Sequence, residues 1–403
     1  MGMGSCLVYG SGCIASLLVL LLAVVWGVYR EAAIREGTDV QVPASLYGYN
    51  VLITGSTSGI GFEAALEFYK LGAHVVIHSS NQRRAAKSAG DVERLGEQGG
   101  QGFGKATPLA ANLGHFGDVR NFSAKLRRVV ARLDVLILNA ARLYGLAPMY
   151  NDSTLMKQPD SAFQAPSGHD TVLAVNHLGH YMLTELLLPM LAHGAPIVIL
   201  TAIGAWDSSH ERILPPWGYV GQHKMYPKTA TEKRILWESK GIKRFGYYAY
   251  HDSKYANICF GRWLRRRLGR NATVILHDPG YVVTTPMLSR ESRKYKERLT
   301  RSVRDRKLYN WHAPVEWAGK NLLDVTFLIR RPVPDVVSAY FMPRQVVSWW
   351  APHSWEGRRP KHLFRFAGLQ RFTWGLHSTI GPQCDRDVQD WLMWWSSAAV
   401  GFR

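Results

Sequence analysis

The chain has 403 residues, 47% of them hydrophobic, enough to bury the core of one large α/β domain with additions. Its 49 lysines and arginines against 30 aspartates and glutamates give a formal net charge of +19. That balance points to an anionic partner such as lipid headgroups or nucleic acid, or to a merely basic surface. Cys6, Cys13, Cys259 and Cys384 show no paired spacing, so neither a disulfide framework nor a metal site is expected.

Met1 to Tyr29 contains no charged side chain, and Ile14 to Tyr29 is almost wholly apolar. Such a span is long enough to cross the hydrocarbon of a bilayer as a helix, which takes about 20 residues. Trp26, Tyr29 and Arg30 would then sit at one interface. A cleaved signal peptide is the competing reading, but a basic n-region and a clear cleavage site are both lacking. Residues 1–29 therefore read as an uncleaved anchor and 30–48 as a polar linker. Arg30 and Arg35 after the span suggest a cytosolic domain, although Glu31 and Glu36 accompany them. The sequons beginning at Asn121, Asn151 and Asn271 matter only if the domain is luminal.

From Asn50 the pattern alternates strand and helix, as in a doubly wound parallel sheet. Strands are expected near 50–54, 73–78, 106–110, 134–138, 196–201, 272–277 and 336–341, with a glycine-rich loop at 96–104. The run Asn50-Val51-Leu52-Ile53 feeds Thr54-Gly55-Ser56-Thr57-Ser58-Gly59-Ile60-Gly61, and a helical pattern follows. A turn without side chains lets a phosphate approach backbone N–H groups at a helix N-terminus, where the dipole favours an anion. The glycine spacing departs from G-x-G-x-x-G but serves the same contacts. The second strand ends in Ser79-Ser80-Asn81-Gln82-Arg83-Arg84, with no acidic residue for a ribose 2′-hydroxyl. Hydroxyls and arginines suit a 2′-phosphate instead, so NADP(H) is favoured and NAD(H) remains open. Far downstream, Tyr250 and Lys254 stand four apart, on one helix face. Alone, such a pair reads as an amphipathic surface.

The order of the motifs changes that reading. Thr54-Gly55-x-x-x-Gly59-Ile60-Gly61, Leu138-Asn139-Ala140-Ala141, Val175-Asn176-His177-Leu178-Gly179-His180-Tyr181, Tyr250-x-x-x-Lys254 and Pro279-Gly280-Tyr281-Val282-Val283-Thr284 occur in sequence. Together they resemble the short-chain dehydrogenase/reductase family, nearest to its retinol dehydrogenase-like branch. The resemblance implies a Rossmann-type α/β fold and a nicotinamide cofactor. It assigns cofactor contacts to Thr54, Gly55, Ser56, Ser58, Gly59, Ile60 and Gly61, to Asn139, Ala140 and Ala141, and to Asn112 and Leu113, which replace the family's Asp-Leu; Ser80, Asn81 and Arg83 are the expected contacts at the 2′-phosphate. Tyr250, Lys254, Pro279, Gly280, Val282 and Thr284 complete that set.

Reduction of a carbonyl by hydride needs a proton donor at the developing alkoxide. A free tyrosine, with a pKa of about 10, holds its proton too tightly for reversible transfer near neutrality. A nearby ammonium lowers that pKa, the role the resemblance gives Lys254 beside Tyr250. The resemblance also gives Asn176 a water linking Lys254 to solvent. One departure matters: Thr201 and Ala202 stand where the family has a Ser-Ser pair whose second member binds the substrate oxygen. Loss of such a donor typically costs about 10²–10³ in rate. Thr201 through a slipped register, Ser208 or Ser209 folding back, or an impaired site are the three open outcomes.

The long stretch 206–245, rich in Trp, Tyr and Lys, reads as an insertion at the active-site mouth, a lid or a surface loop. Residues 289–307 carry nine lysines and arginines, suited to anionic headgroups or to plain solvation. Nucleic-acid binding is disfavoured for want of a recognition module. The tail 346–403 is basic and aromatic. The expectation is thus an anchor, a domain over 49–345 and a C-terminal extension. The chain would be a single-pass protein of the endoplasmic reticulum with a cytosolic domain, and a homodimer is possible. Its substrate would be a lipophilic alcohol or carbonyl of retinoid, steroid or fatty-aldehyde type. The rival reading is a catalytically impaired NADP-binding scaffold or sensor at a membrane.

Overall fold

Short, wholly apolar runs build the centre of the molecule. In the computed structural model, residues 41–98, 104–143, 164–202, 205, 208, 245–280, 282, 315–327, 336–338, 377–379 and 384–402 are described. The strands are β1 (Asn50–Ile53), β2 (His74–Ser79), β3 (Lys105–Ala110), β4 (Val135–Leu138), β5 (Ala195–Leu200), β6 (Ala272–Asp278), β7 (Val336–Ser338) and β8 (His377–Thr379). They form one sheet in the order β3-β2-β1-β4-β5-β6-β7-β8. β1 to β7 run parallel and β8 pairs antiparallel with β7. Pro108, which has no N–H to donate, is tolerated because β3 lies at the sheet edge.

Parallel strands must be covered on both faces, which is why β4 and β5, at the centre, are apolar at every position. Residues of opposite parity feed two cores. Leu52, Val76, Leu136 and Ile197 face a layer holding α3 (Phe116–Val129), α4 (Gly179–Leu187), α5 (Phe245–Leu268) and α7 (Arg386–Ala399). Val51, Ile53, Val75 and Ile77 face the other layer, α1 (Gly59–Lys70), α2 (Gln82–Gln98) and α6 (Val315–Thr326). The strand order reverses between β1 and β4, opening a crevice at the carboxyl ends of the strands.

The seven expected strands are present, and β8 is an addition. Helix α2 extends into the expected glycine-rich loop, reaching Gln98. Residues 41–48, expected as linker, lie against the domain: Leu46 is fully buried and Gln41 N–H donates to the Phe327 carbonyl at 3.2 Å. The expectation of no disulfide is corrected. Cys259 on α5 and Cys384 just before α7 are joined, with Cα atoms 5.7 Å apart. Their separation of 125 residues hid the pairing, since only the packing of α7 on α5 brings them together. No helix among the described residues is long and apolar enough to cross a membrane. The expected anchor 1–29, most of the insertion 206–245, Thr284 and the basic segment 289–307 lie outside the described residues.

Candidate active site

The crevice is built first from backbone. Gly55 has a φ of +67°, and a Cβ there would lie 2.8 Å from Ala140 Cα. At Gly61 a Cβ would meet Asn139 Nδ2 at 2.4 Å and the Gly55 carbonyl oxygen at 2.6 Å. The turn after β1 and the loop after β4 therefore touch through atoms that only glycine leaves room for. Thr54 Oγ1 locks the same contact, accepting from the N–H groups of Asn139 and Ala140, each at 2.9 Å. It also stands 2.9 Å from His180 Nε2. His180 Nδ1 lies 3.0 Å from the Asn176 carbonyl, which only accepts, so Nδ1 carries the proton and Nε2 takes that of Thr54. Burial holds the His180 pKa down to about 3, consistent with a neutral ring.

Within the turn the serines divide. Ser58 is exposed at the N-cap of α1, in extended backbone, with no side-chain cap bond. Ser56 is fully buried, its hydroxyl donating to the Ile53 carbonyl and accepting from His78 N–H. Gly59 opens α1, and Ile60 packs with Val282. Gly280, with φ +77°, donates its N–H to Asp278 Oδ1 at 3.0 Å, shaping the turn that follows Pro279. Asn112 Oδ1 accepts from Gly114 N–H, Leu113 is buried, and half-buried Ala141 follows Ala140.

Beyond β2, Asn81 Oδ1 accepts from Arg84 N–H and so caps α2, while Ser80 Oγ accepts from Arg84 Nη2 at 3.0 Å. A cavity beside the glycine turn is lined by Thr57, Ser58, Phe62, Arg84, Lys87, Ser88 and Asp91. Arg84 and Lys87 line it, and Arg83 does not. Helical spacing carries the reason: positions 84, 87, 88 and 91 share one face of α2 and 83 is turned away. That spacing was readable, and it identifies Lys87 as well.

The catalytic candidates converge on the carboxyl ends of β5 and β6. Lys254 is buried on α5, and its Nζ donates to the Leu200 carbonyl at 2.9 Å while lying 5.6 Å from the centre of the Tyr250 ring. Burial brings the Lys254 pKa down to about 8, and the Asp278 carboxylate works the other way. Burial pushes the half-buried Tyr250 phenol above its ordinary value, and Asp278 adds to that rise. Asn176 sits in a π-helical turn, Ala174–Leu178, continuous with α4. Its Oδ1 accepts from Arg142 N–H at 2.7 Å, and its Nδ2 donates to the Arg142 carbonyl and to Ser253 Oγ, both at 3.0 Å. Asn176 thereby clamps the loop after β4 to α5.

Of the three hydroxyls considered as stand-ins for the missing serine, the two that are described are committed elsewhere. Thr201 Oγ1 donates to the Lys254 carbonyl at 3.3 Å, and Ser208 Oγ to Asp252 Oδ1 at 2.5 Å. Ser209 lies outside the described residues. Sequence reading missed roles for His180, Ser253 and Asp278. His180 had a signal, standing one helical turn after Asn176. Asp278 had none, since its influence on Tyr250 and Lys254 crosses from β6 to α5. Among the described residues no cluster suits a metal ion. The glycine cradle, the exposed N-cap and the cationic cavity are a donor set that fits the phosphates of a dinucleotide.

Residues 49–209 match the family model described as short chain dehydrogenase. Retinol dehydrogenase 14 of Homo sapiens is 31% identical over 264 residues, covering 63% of this chain and 67% of the relative. Its Mus musculus counterpart is 31% identical over 287 residues, covering 67% and 74%. Among solved structures, an uncharacterized protein from Mycobacterium paratuberculosis superposes with a TM-score of 0.53 at 19% identity, over 90% of this chain and 96% of that one. RhlG of Pseudomonas aeruginosa, solved as an NADP active-site complex, gives 0.50 at 19%, over 73% and 95%. These two show the fold alone; the sequence relatives carry the family, and with them this chain belongs to the short-chain dehydrogenases/reductases, in the retinol dehydrogenase-like branch.

Proposed function

We propose that the chain is an NADP(H)-linked oxidoreductase, held at a membrane by residues 1–29, that interconverts a lipophilic alcohol and its carbonyl with Tyr250 as general acid and base. The observation that carries the reading is the Tyr250–Lys254 pair, with the ammonium 5.6 Å from the phenol ring at the crevice that also holds the glycine turn. The cofactor, when bound, supplies or accepts the hydride at the substrate carbon. Ser58, Gly59 and the N-terminus of α1 would hold its phosphates, Arg84 and Lys87 its 2′-phosphate, and Gly280 and Val282 would border its nicotinamide end. Tyr250 would donate its proton to the carbonyl oxygen during reduction and recover it from the alcohol during oxidation. Lys254 would have to favour the phenolate through its charge against the burial and the Asp278 carboxylate that raise the phenol, and Asn176 would keep α5 in place through Ser253. Likeness to relatives named retinol dehydrogenase supports a retinoid, with a steroid or fatty aldehyde as lipophilic alternatives.

The test is NADPH oxidation by the purified full chain against lipophilic aldehydes and ketones, with cofactor binding followed separately by fluorescence. Tyr250→Phe is expected to lower turnover by about 10²–10⁴, the usual worth of a positioned acid, while leaving NADPH bound. A second reading rests on Ala202, which has no hydroxyl, and on the commitments of Thr201 and Ser208. Binding without turnover, with activity gained in Ala202→Ser, would replace the enzyme by an impaired NADP-binding scaffold.

A further inference from the structure

We propose that this domain matures in an oxidising, glycosylating lumen, where Cys259 and Cys384 are joined and Asn271 carries an N-linked glycan. Two unrelated features point the same way and oppose the cytosolic placement suggested by Arg30 and Arg35. The first is the disulfide. Cys259 is fully buried in the middle of α5 and Cys384 is 5% exposed. The bond fixes the chain just ahead of α7 to the helix bearing Tyr250 and Lys254. Reducing compartments keep such thiols apart, whereas oxidising ones join them.

The second is the position of the sequon Asn271-Ala272-Thr273. Asn271 is exposed in the turn between α5 and β6. Its backbone is secured, the N–H donating to the Leu268 carbonyl and the carbonyl accepting from Gly194 N–H. The turn is therefore held while the side chain points to solvent. It lies at the amino end of β6, the opposite end of the sheet from Leu200, Asp278 and the Tyr250–Lys254 pair. A glycan there leaves the crevice open. The sequon at Asn121 is a poorer acceptor, lying inside α3 with Phe122 and Ser123 packed into the core.

Both modifications balance with co-reactants of a secretory lumen. The two thiols lose two protons and two electrons, taken up by the disulfide of an oxidising protein, which becomes a dithiol. Asn271 Nδ2 attacks the anomeric carbon of a polyprenyl-pyrophosphate oligosaccharide. A carbon–nitrogen bond forms as the carbon–oxygen bond to pyrophosphate breaks, and the amide proton is released to the transferase's base.

The full chain, with residues 1–40 retained, is expressed in a eukaryotic cell line and recovered with free thiols alkylated before lysis. Peptide-N-glycosidase is expected to raise its gel mobility, and Asn271→Gln and Thr273→Ala are each expected to remove one mobility step. Mapping without reduction is expected to recover a linked peptide containing Cys259 and Cys384. Unchanged mobility in both variants overturns the assignment of Asn271. Wild-type protein with both cysteines alkylated and no glycosidase shift overturns the luminal placement altogether. Because the readouts are mass and linkage, neither outcome depends on the proposed activity.

Discussion

Asp278 ends β6 with its carboxylate buried and its Oδ1 committed to Gly280 N–H, and its charge reaches both Tyr250 and Lys254. A negative charge favours the ammonium and disfavours the phenolate, so it raises both pKa values. Asp278→Asn keeps an oxygen for the Gly280 N–H and removes only the charge. Both groups should then titrate lower, and the alkaline limb of the carbonyl-reduction profile should move to lower pH; an unmoved limb would remove Asp278 from the chemistry. The Lys254 shift has a consequence for stability too. Between about 8 and its ordinary value the unfolded chain holds a proton that the folded one has released, so this group makes the fold more stable as pH rises through that window. At the other end of the crevice, Arg84 bonds Ser80 Oγ and lines the cavity by Ser58. A charged hydrogen bond to a phosphate is worth about 1.5–3 kcal/mol. Arg84→Ala should therefore weaken NADPH binding by roughly 10- to 100-fold while changing NADH binding little, as titrations of the two cofactors would reveal.

Helix α5 is held by the Asn176 hydrogen bond to Ser253 and by the disulfide to Cys384, and the disulfide was invisible in sequence. Joining Cys259 to Cys384 closes a loop spanning 125 residues, and removing such a link typically costs about 2–5 kcal/mol. Cys384→Ser should lower the urea midpoint accordingly, and reductant should lower that of the wild type but leave the variant unmoved. Equal sensitivity of both proteins to reductant would mean the bond contributes nothing. The strands and the order of their motifs were legible because burial on both faces demands apolar runs, as in Val135–Leu138, and because the close approach of the turn after β1 to the loop after β4 demands glycines at Gly55 and Gly61. Tyr250 and Lys254 were legible from spacing along one helix. Contacts between distant segments were not: the disulfide, the addition of β8 to β7, and the ties of His180 to Thr54 and Asn176 to Arg142 depend on tertiary approach. Ser56 shows the converse limit. It was expected among the cofactor contacts from its place in the glycine turn, and nothing in that place announced that its hydroxyl staples β1 to β2.

Among the described residues, three of the five buried histidines, His78, His177 and His180, are held neutral around the crevice and its supporting layer. His78 accepts from Gly55 N–H through Nδ1, His177 stands between Asn257 Oδ1 and Ser396 Oγ, and His180 receives the Thr54 hydroxyl. Burial depresses all three, to about 4, 4 and 3. They join the glycine turn, the π-helical turn and α7, so protonating any of them strikes contacts on which several elements depend. On acidification the unfolded chain takes up these protons near the ordinary value of 6.5, while the folded chain resists until about 4. The stability tied to the neutral rings is present in full above 6.5 and declines as pH falls toward 4. Each excess proton contributes about 1.4 kcal/mol per pH unit, so near pH 5 the three together should steepen the loss by about 4 kcal/mol per pH unit. Urea unfolding measured from pH 7 to pH 4.5 reads that slope. His78→Gln, which has no proton to take up, should make it shallower by one proton's worth whatever its own effect on stability. An unchanged slope would mean that His78 binds its proton equally in the folded and unfolded protein and contributes nothing to the acid response.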